Sequence, residues 1–144
     1  MEILEEAREA CLVLRNAGFM LICVTNQPDI ARGRAATANV AELNDYVQRE
    51  LHLDSIRVCT HDDADNCACR KPKPGLLIGA AGEFGIDLRS SFMIGDRWRD
   101  IAAGEAAGCR TVFIDRGYSE RQPERSDFTT GSVAAAARWI VQQS

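Results

Sequence analysis

A chain of 144 residues with 46% hydrophobic content is one domain's worth of sequence and enough to bury a core. Its 17 basic and 21 acidic residues leave a net charge of −4, which argues against a general nucleic-acid binder, and no apolar run reaches membrane-spanning length. A single soluble domain over residues 1–144, with a monomer as the default, is the expectation.

Taken in order, helix and strand patterns alternate. Glu2 to Asn16 spaces Ile3, Ala7, Ala10, Cys11 and Leu14 as a helix does, and Gly18 stands where a helix C-terminal glycine belongs. Phe19 to Thr25 is a continuous apolar run, the mark of a strand buried on both faces. Asn26 to Ala36 reads as a polar loop, and Thr37 caps a helix to about Leu51 whose positions Val40, Leu43, Val47 and Leu51 share one face. Ile56 to Thr60 is a short strand. Pro74 to about Phe84 reads as a helix with Pro74 in its first turn. Ser91 to Gly95 is a strand, Trp98 to Ala107 a helix closed by Gly108, and Thr111 to Ile114 a further strand. Asp115 to Gly131 reads as irregular and exposed, apart from a short extended piece around Phe128. Ser132 caps a last helix, Val133 to Gln142. Strands alternating with helices imply a parallel sheet with helices on both faces, and in such sheets the ligand sits beyond the carboxyl ends of the strands.

Two features carry chemistry. The first is Cys59, His61, Cys67 and Cys69, two ligand-x-ligand pairs across a five-residue polar gap. That is the inventory of a closed, structural Cys₃His zinc site, and the Asp/Asn-rich gap has the turn chemistry to bring the pairs together. Ordinary thiols, or two disulfides in a secreted protein, are the alternatives. Nothing at the N-terminus has the make-up of a secretory signal, so metal binding and the cytoplasm are the preferred reading. The Asp63-Ala64-Asp65 stretch inside this loop reads as a solvated turn, and Cys11, Cys23 and Cys109 as reduced core residues.

The second feature is the set of polar residues at strand ends: Thr25, Asn26 and Gln27 after one strand, Gly95, Asp96, Arg97 and Asp100 after another, with Lys71 between them in sequence. A hydroxyl and an amide for phosphate oxygens, a cation for charge, and a carboxylate pair for a hard divalent ion are the parts phosphoryl transfer requires. Singly, each has a plainer reading as a cap, a turn or a solvated charge. Their joint placement carries the argument.

Val24-Thr25-Asn26-Gln27 with Ile30-Ala31-Arg32-Gly33, then Cys-x-His…Cys-x-Cys-Arg70-Lys71-Pro72-x-Pro74-Gly75, then Ile94-Gly95-Asp96-Arg97-x-x-Asp100, together resemble the haloacid dehalogenase (HAD) superfamily. Within it the resemblance is to the zinc-containing branch of D-glycero-D-manno-heptose-1,7-bisphosphate and histidinol-phosphate phosphatases, and it runs over nearly the whole chain. It implies a Rossmann-like three-layer α/β sandwich with a mostly parallel sheet, and a Mg²⁺-dependent phosphatase acting through a phospho-aspartate on a small phosphorylated metabolite. Thr25 and Asn26 would bind the transferring phosphoryl group, and Lys71 would stabilise its charge. Arg70, Gln27 and Arg32 would contact substrate. Asp96 would ligate Mg²⁺ with Asp100 supporting the ion, and Zn²⁺ would be structural. Arg97 stands where many relatives carry lysine.

One departure weighs against these agreements. The resemblance implies a first motif, Asp-x-Asp on a central strand, whose first Asp attacks phosphorus and whose second acts as acid and base. No residue ahead of Glu2 carries it. Without that strand, the strands ending in Thr25 and in Gly95 are expected either to close on each other or to leave a cleft. Three readings follow: a phosphatase whose start lies upstream, a phosphate-binding pseudoenzyme, and a zinc-stabilised interaction domain.

Overall fold

A computed structural model of the chain describes residues 2–26, 37–59, 67, 69 and 71–143. Helix α1 (Glu2–Asn16) leads to β1 (Ile22–Asn26), α2 (Thr37–Leu51) to β2 (Ser55–Cys59), and α3 (Gly75–Phe84) to β3 (Phe92–Gly95); α4 (Trp98–Ala107), β4 (Arg110–Ile114), β5 (Phe128–Thr130) and α5 (Val133–Gln143) complete the order. The strands form two parallel sheets, β1–β2 and β3–β4–β5.

Three layers result, as the alternation of elements implies. Along β3, Phe92 and Ile94 pack on the cluster built from Ala10 and Leu14 of α1, Val112 and Ile114 of β4, and Ala136, Ala137 and Ile140 of α5. The intervening Met93 packs the other way, with Leu77 of α3 and Ala103 of α4. Alternate residues of one strand thus reach opposite helix layers, the period-two rule of a sheet covered on both sides. A Cβ on Gly104 would lie 2.8 Å from Met93 Cγ, so α4 reaches this depth because it carries glycine there.

Among the described residues no strand lies between β1 and β3, and the two are not hydrogen-bonded to each other. Side chains join the sheets instead. Val24 of β1 packs into the cluster of Met93 and Ala103, and Leu21 into that of Val112 and Ile140. The expected weak seam is present.

Most boundaries fall within a residue or two of the pattern. The largest shift is at β1, which begins at Ile22 rather than Phe19. The Phe19 amide donates to Leu14 O (3.1 Å), closing α1 across the left-handed Gly18, and Leu21 is held by Asp54 through its N–H and its carbonyl (2.7 and 2.8 Å). Leu21 is buried in the core and Phe19 packs against it, so both are apolar, but their backbone serves the helix cap and a loop; Met20 between them is exposed. The piece around Phe128 is a parallel third strand, and its ring stacks on Trp139 (centroids 5.0 Å apart). Ser132 caps α5 as expected, its Oγ accepting from Ala135 N (3.2 Å).

Segment 115–127 is irregular but pinned at intervals. Arg125 pairs with Glu105 (2.7 Å), Arg121 lies on the Trp98 ring (4.2 Å), and the Asp127 carboxylate takes the Thr111 N–H (2.7 Å).

Candidate active site

The site is built at the carboxyl ends of β1 and β3, on either side of the seam. Lys71 occupies it. Its side chain is buried, and its ammonium donates to Val24 O (3.0 Å) and pairs with Asp100 Oδ1 (2.6 Å). An ammonium removed from water needs a counterion and full hydrogen bonding, and this one has a carboxylate plus a strand carbonyl.

Asn26 fixes the other end of the residue. Its carboxamide accepts from Lys71 N (3.1 Å) and donates to Lys71 O (3.3 Å), so both backbone groups of the lysine are held by one side chain. Thr25 is half-buried beside Asn26, opposite Val58 in the ladder.

Asp100 spans two tasks. One oxygen takes Lys71, and the other accepts from Arg97 N (3.3 Å) at the start of α4, as a residue three positions into a helix does. Gly95 makes room for it, since a Cβ there would stand 2.6 Å from Asp100 Cγ. Asp96 lies at the end of β3 with Oδ2 accepting from Tyr118 OH (3.0 Å), and this bond to a carboxylate pushes the phenol of Tyr118 above its ordinary range.

Beside this set lies a thiol cluster. Cys59 ends β2 and is the register partner of Asn26, while Cys69 stands two residues before Lys71. The Sγ of Cys59 is 2.7 Å from that of Cys69, and Cys67 is 3.5 Å from each. Desolvation first, and then the hydrogen bonds that the Cys69 thiol donates to the sulfurs of Cys59 and Cys67, push it up to about 12. Three sulfurs this close hold protons unless a cation replaces them. Zinc with bonds of ~2.3 Å in a tetrahedron spaces its sulfurs by about 3.8 Å, so the trio fits a zinc ion after a small opening of the Cys59–Cys69 pair. The structure thus brings together Cys59, Cys67 and Cys69, and links Asn26, Lys71 and Asp100 directly; Thr25 precedes Asn26 in β1 and Asp96 follows Gly95 at the end of β3. His61, Gln27, Arg32, Arg70 and the Asp63–Asp65 turn lie outside the described residues.

Three relationships are not legible in the motifs: the Asn26 clamp, the Lys71–Asp100 pair, and the approach of Tyr118 to Asp96. The last had a signal. Asp115-Arg116-Gly117 follows β4 directly, and the loop after a strand neighbouring β3 is where site residues gather.

Comparison with known proteins places the chain in a family. The HAD-hydrolase-like family model matches residues 68–138, the span from the thiol cluster to α5. The D-glycero-beta-D-manno-heptose-1,7-bisphosphate 7-phosphatase of Pasteurella multocida is 33% identical over 96% of this chain and 83% of its own length. The enzyme of the same name from Escherichia coli K12 is 32% identical, over 99% of this chain and 82% of its own. Among solved structures, the D,D-heptose 1,7-bisphosphate phosphatase of B. bronchiseptica, complexed with magnesium and phosphate, superposes with a TM-score of 0.84 at 30% identity, covering 95% of this chain and 82% of that one. By fold, motif order and sequence, the chain belongs to the HAD-like hydrolases, in the family of the D-glycero-beta-D-manno-heptose-1,7-bisphosphate 7-phosphatases.

Proposed function

We propose that this protein is a Mg²⁺-dependent phosphatase that removes a phosphate from a small phosphorylated sugar, D-glycero-beta-D-manno-heptose 1,7-bisphosphate by the names of its relatives. The observation that carries this is the buried Lys71, held at the seam by Val24, Asn26 and Asp100. A fixed ammonium at the carboxyl ends of two parallel strands suits the charge that spreads over phosphoryl oxygens in the transition state. In this reading the Thr25 hydroxyl and the Asn26 backbone N–H hydrogen-bond the same group, and Arg70, Gln27 and Arg32 contact the remainder of the substrate.

Asp96 is the residue that would hold magnesium. It offers a hard carboxylate at the end of β3, and its Oδ1 has no partner among the described residues. The ion would neutralise phosphoryl charge when bound. Asp100 contributes by holding Lys71 in place, and its support of the ion runs through the Arg97 backbone. Zinc at Cys59, His61, Cys67 and Cys69 would be structural, bracing the strand and loop that flank Lys71.

The chemistry needs a carboxylate nucleophile, which the family resemblance puts on an Asp-x-Asp strand. The seam supports that arrangement: among the described residues β1 pairs only with β2, and β3 only with β4, so a strand entering there would find an edge on each side. The acidic net charge and the clustered thiols support reading it as a cytoplasmic enzyme without nucleic-acid partners, with a monomer as the default.

The test is inorganic phosphate release from the heptose bisphosphate with Mg²⁺, using protein isolated from its own source cells and weighed intact. Turnover that Lys71→Ala reduces at least 100-fold supports the reading. Phosphate that raises the unfolding temperature without any turnover favours instead a phosphate-binding pseudoenzyme that uses the residual Thr25, Asn26, Lys71 and Asp96 site. Neither turnover nor protection leaves a zinc-stabilised interaction domain.

A further inference from the structure

The irregular stretch after β4 returns over the start of α4, and its apex is Tyr118. Asp115 begins the return: its Oδ1 accepts from Gly117 N (2.9 Å), an Asx turn that Gly117 completes in the left-handed region at φ 73°. The next residue delivers its hydroxyl to Asp96 Oδ2 (3.0 Å). The face of the same ring carries the Arg97 guanidinium 4.5 Å from its centroid, and Arg97 in turn pairs with Glu120 Oε2 (2.6 Å). Tyr118 is therefore held from both sides, by a turn behind it and a cation over it, while the residue stays 38% exposed. An exposed tyrosine with no role is free to rotate. This one spends its single donor on a carboxylate.

We propose that Tyr118 is a positioning residue for Asp96: by occupying Oδ2 it fixes the rotation of the carboxylate and leaves Oδ1 as the oxygen presented to a divalent cation. The inference rests on the reading of Asp96 as the magnesium ligand. The physical reason is that a carboxylate turning freely at a strand end offers an incoming ion two equivalent oxygens and must lose that freedom on binding. A donor on one oxygen removes the cost beforehand, as partners behind metal ligands do generally. Arg97 and Glu120 serve the arrangement by fixing the ring.

The experiment is Mn²⁺ titration of the zinc-saturated protein, followed by the loss of the free-ion EPR signal and made without substrate. Tyr118→Phe removes one oxygen from a partly exposed ring, so the unfolding temperature should hold. We expect Mn²⁺ affinity to fall roughly 10-fold or more, within the 10- to 100-fold range of residues that orient metal ligands. The double variant Asp96→Asn/Tyr118→Phe should bind no more weakly than Asp96→Asn alone, because the tyrosine acts only through the aspartate. Unchanged affinity in Tyr118→Phe, with binding lost in Asp96→Asn, would overturn the inference and leave the magnesium reading standing. Unchanged affinity in Asp96→Asn would overturn the magnesium reading itself, and the inference with it.

Discussion

The carboxamide of Asn26 holds Lys71 by both its backbone groups, accepting at 3.1 Å and donating at 3.3 Å. The end of one strand thereby locks a residue 45 positions away, so the motif that names Asn26 and the motif that names Lys71 are one structural unit. Asn26→Ala should leave the amide and carbonyl of a buried residue unpaired, at about 1–3 kcal/mol of stability. Urea unfolding measures this. If Asn26→Ala unfolds at the wild-type midpoint and still binds phosphate, the clamp has no function.

Lys71 and Asp100 form a buried ion pair, and removing one member strands the other. Asp100→Asn should destabilise the protein by about 3–5 kcal/mol. The double replacement Lys71→Met/Asp100→Leu should recover most of that stability while losing phosphate binding. A double variant as unstable as Asp100→Asn would show that the pair is not the source of the cost.

Gly95 has no room for a side chain, because Asp100 fills the space a Cβ would take. Gly95→Ala should therefore cost about 1–3 kcal/mol by overpacking, and should weaken phosphate binding by displacing the carboxylate that holds Lys71. Gly79→Ala serves as the control. Nothing lies within 4 Å of a Cβ there, so its unfolding midpoint should not fall.

The thiol cluster should make stability depend on metal and on pH together. Stripping the metal with a chelator, or Cys59→Ser, should lower the unfolding temperature by about 2–4 °C for each kcal/mol lost in a domain of this size. In the metal-free protein, Cys69 keeps its proton up to about 12, against an ordinary thiol value of 9.0. Between those values the unfolded chain has given up a proton that the folded chain still holds. Stability contributed by the neutral thiol is therefore present below pH 9.0 and declines as pH rises toward 12. With zinc bound the thiolates are already formed, so the decline should vanish. Unfolding temperatures from pH 8 to 11, with and without Zn²⁺, decide it.

The sequence alone carried the order of the elements, because each helix and strand writes its burial into a local period of apolar residues. It also carried the chemical inventory: the two Cys/His pairs, the Lys71 segment and the Asp96–Asp100 pair are contiguous spacings. What it could not carry were the relationships across the seam. That Lys71 reaches the Val24 carbonyl and Asp100, that Asn26 serves the lysine backbone, and that Tyr118 returns to Asp96 all join residues at least 22 positions apart. No local period encodes such contacts. They exist because packing β1 and β3 side by side under shared helix layers buries an ammonium that must then find partners wherever the fold supplies them.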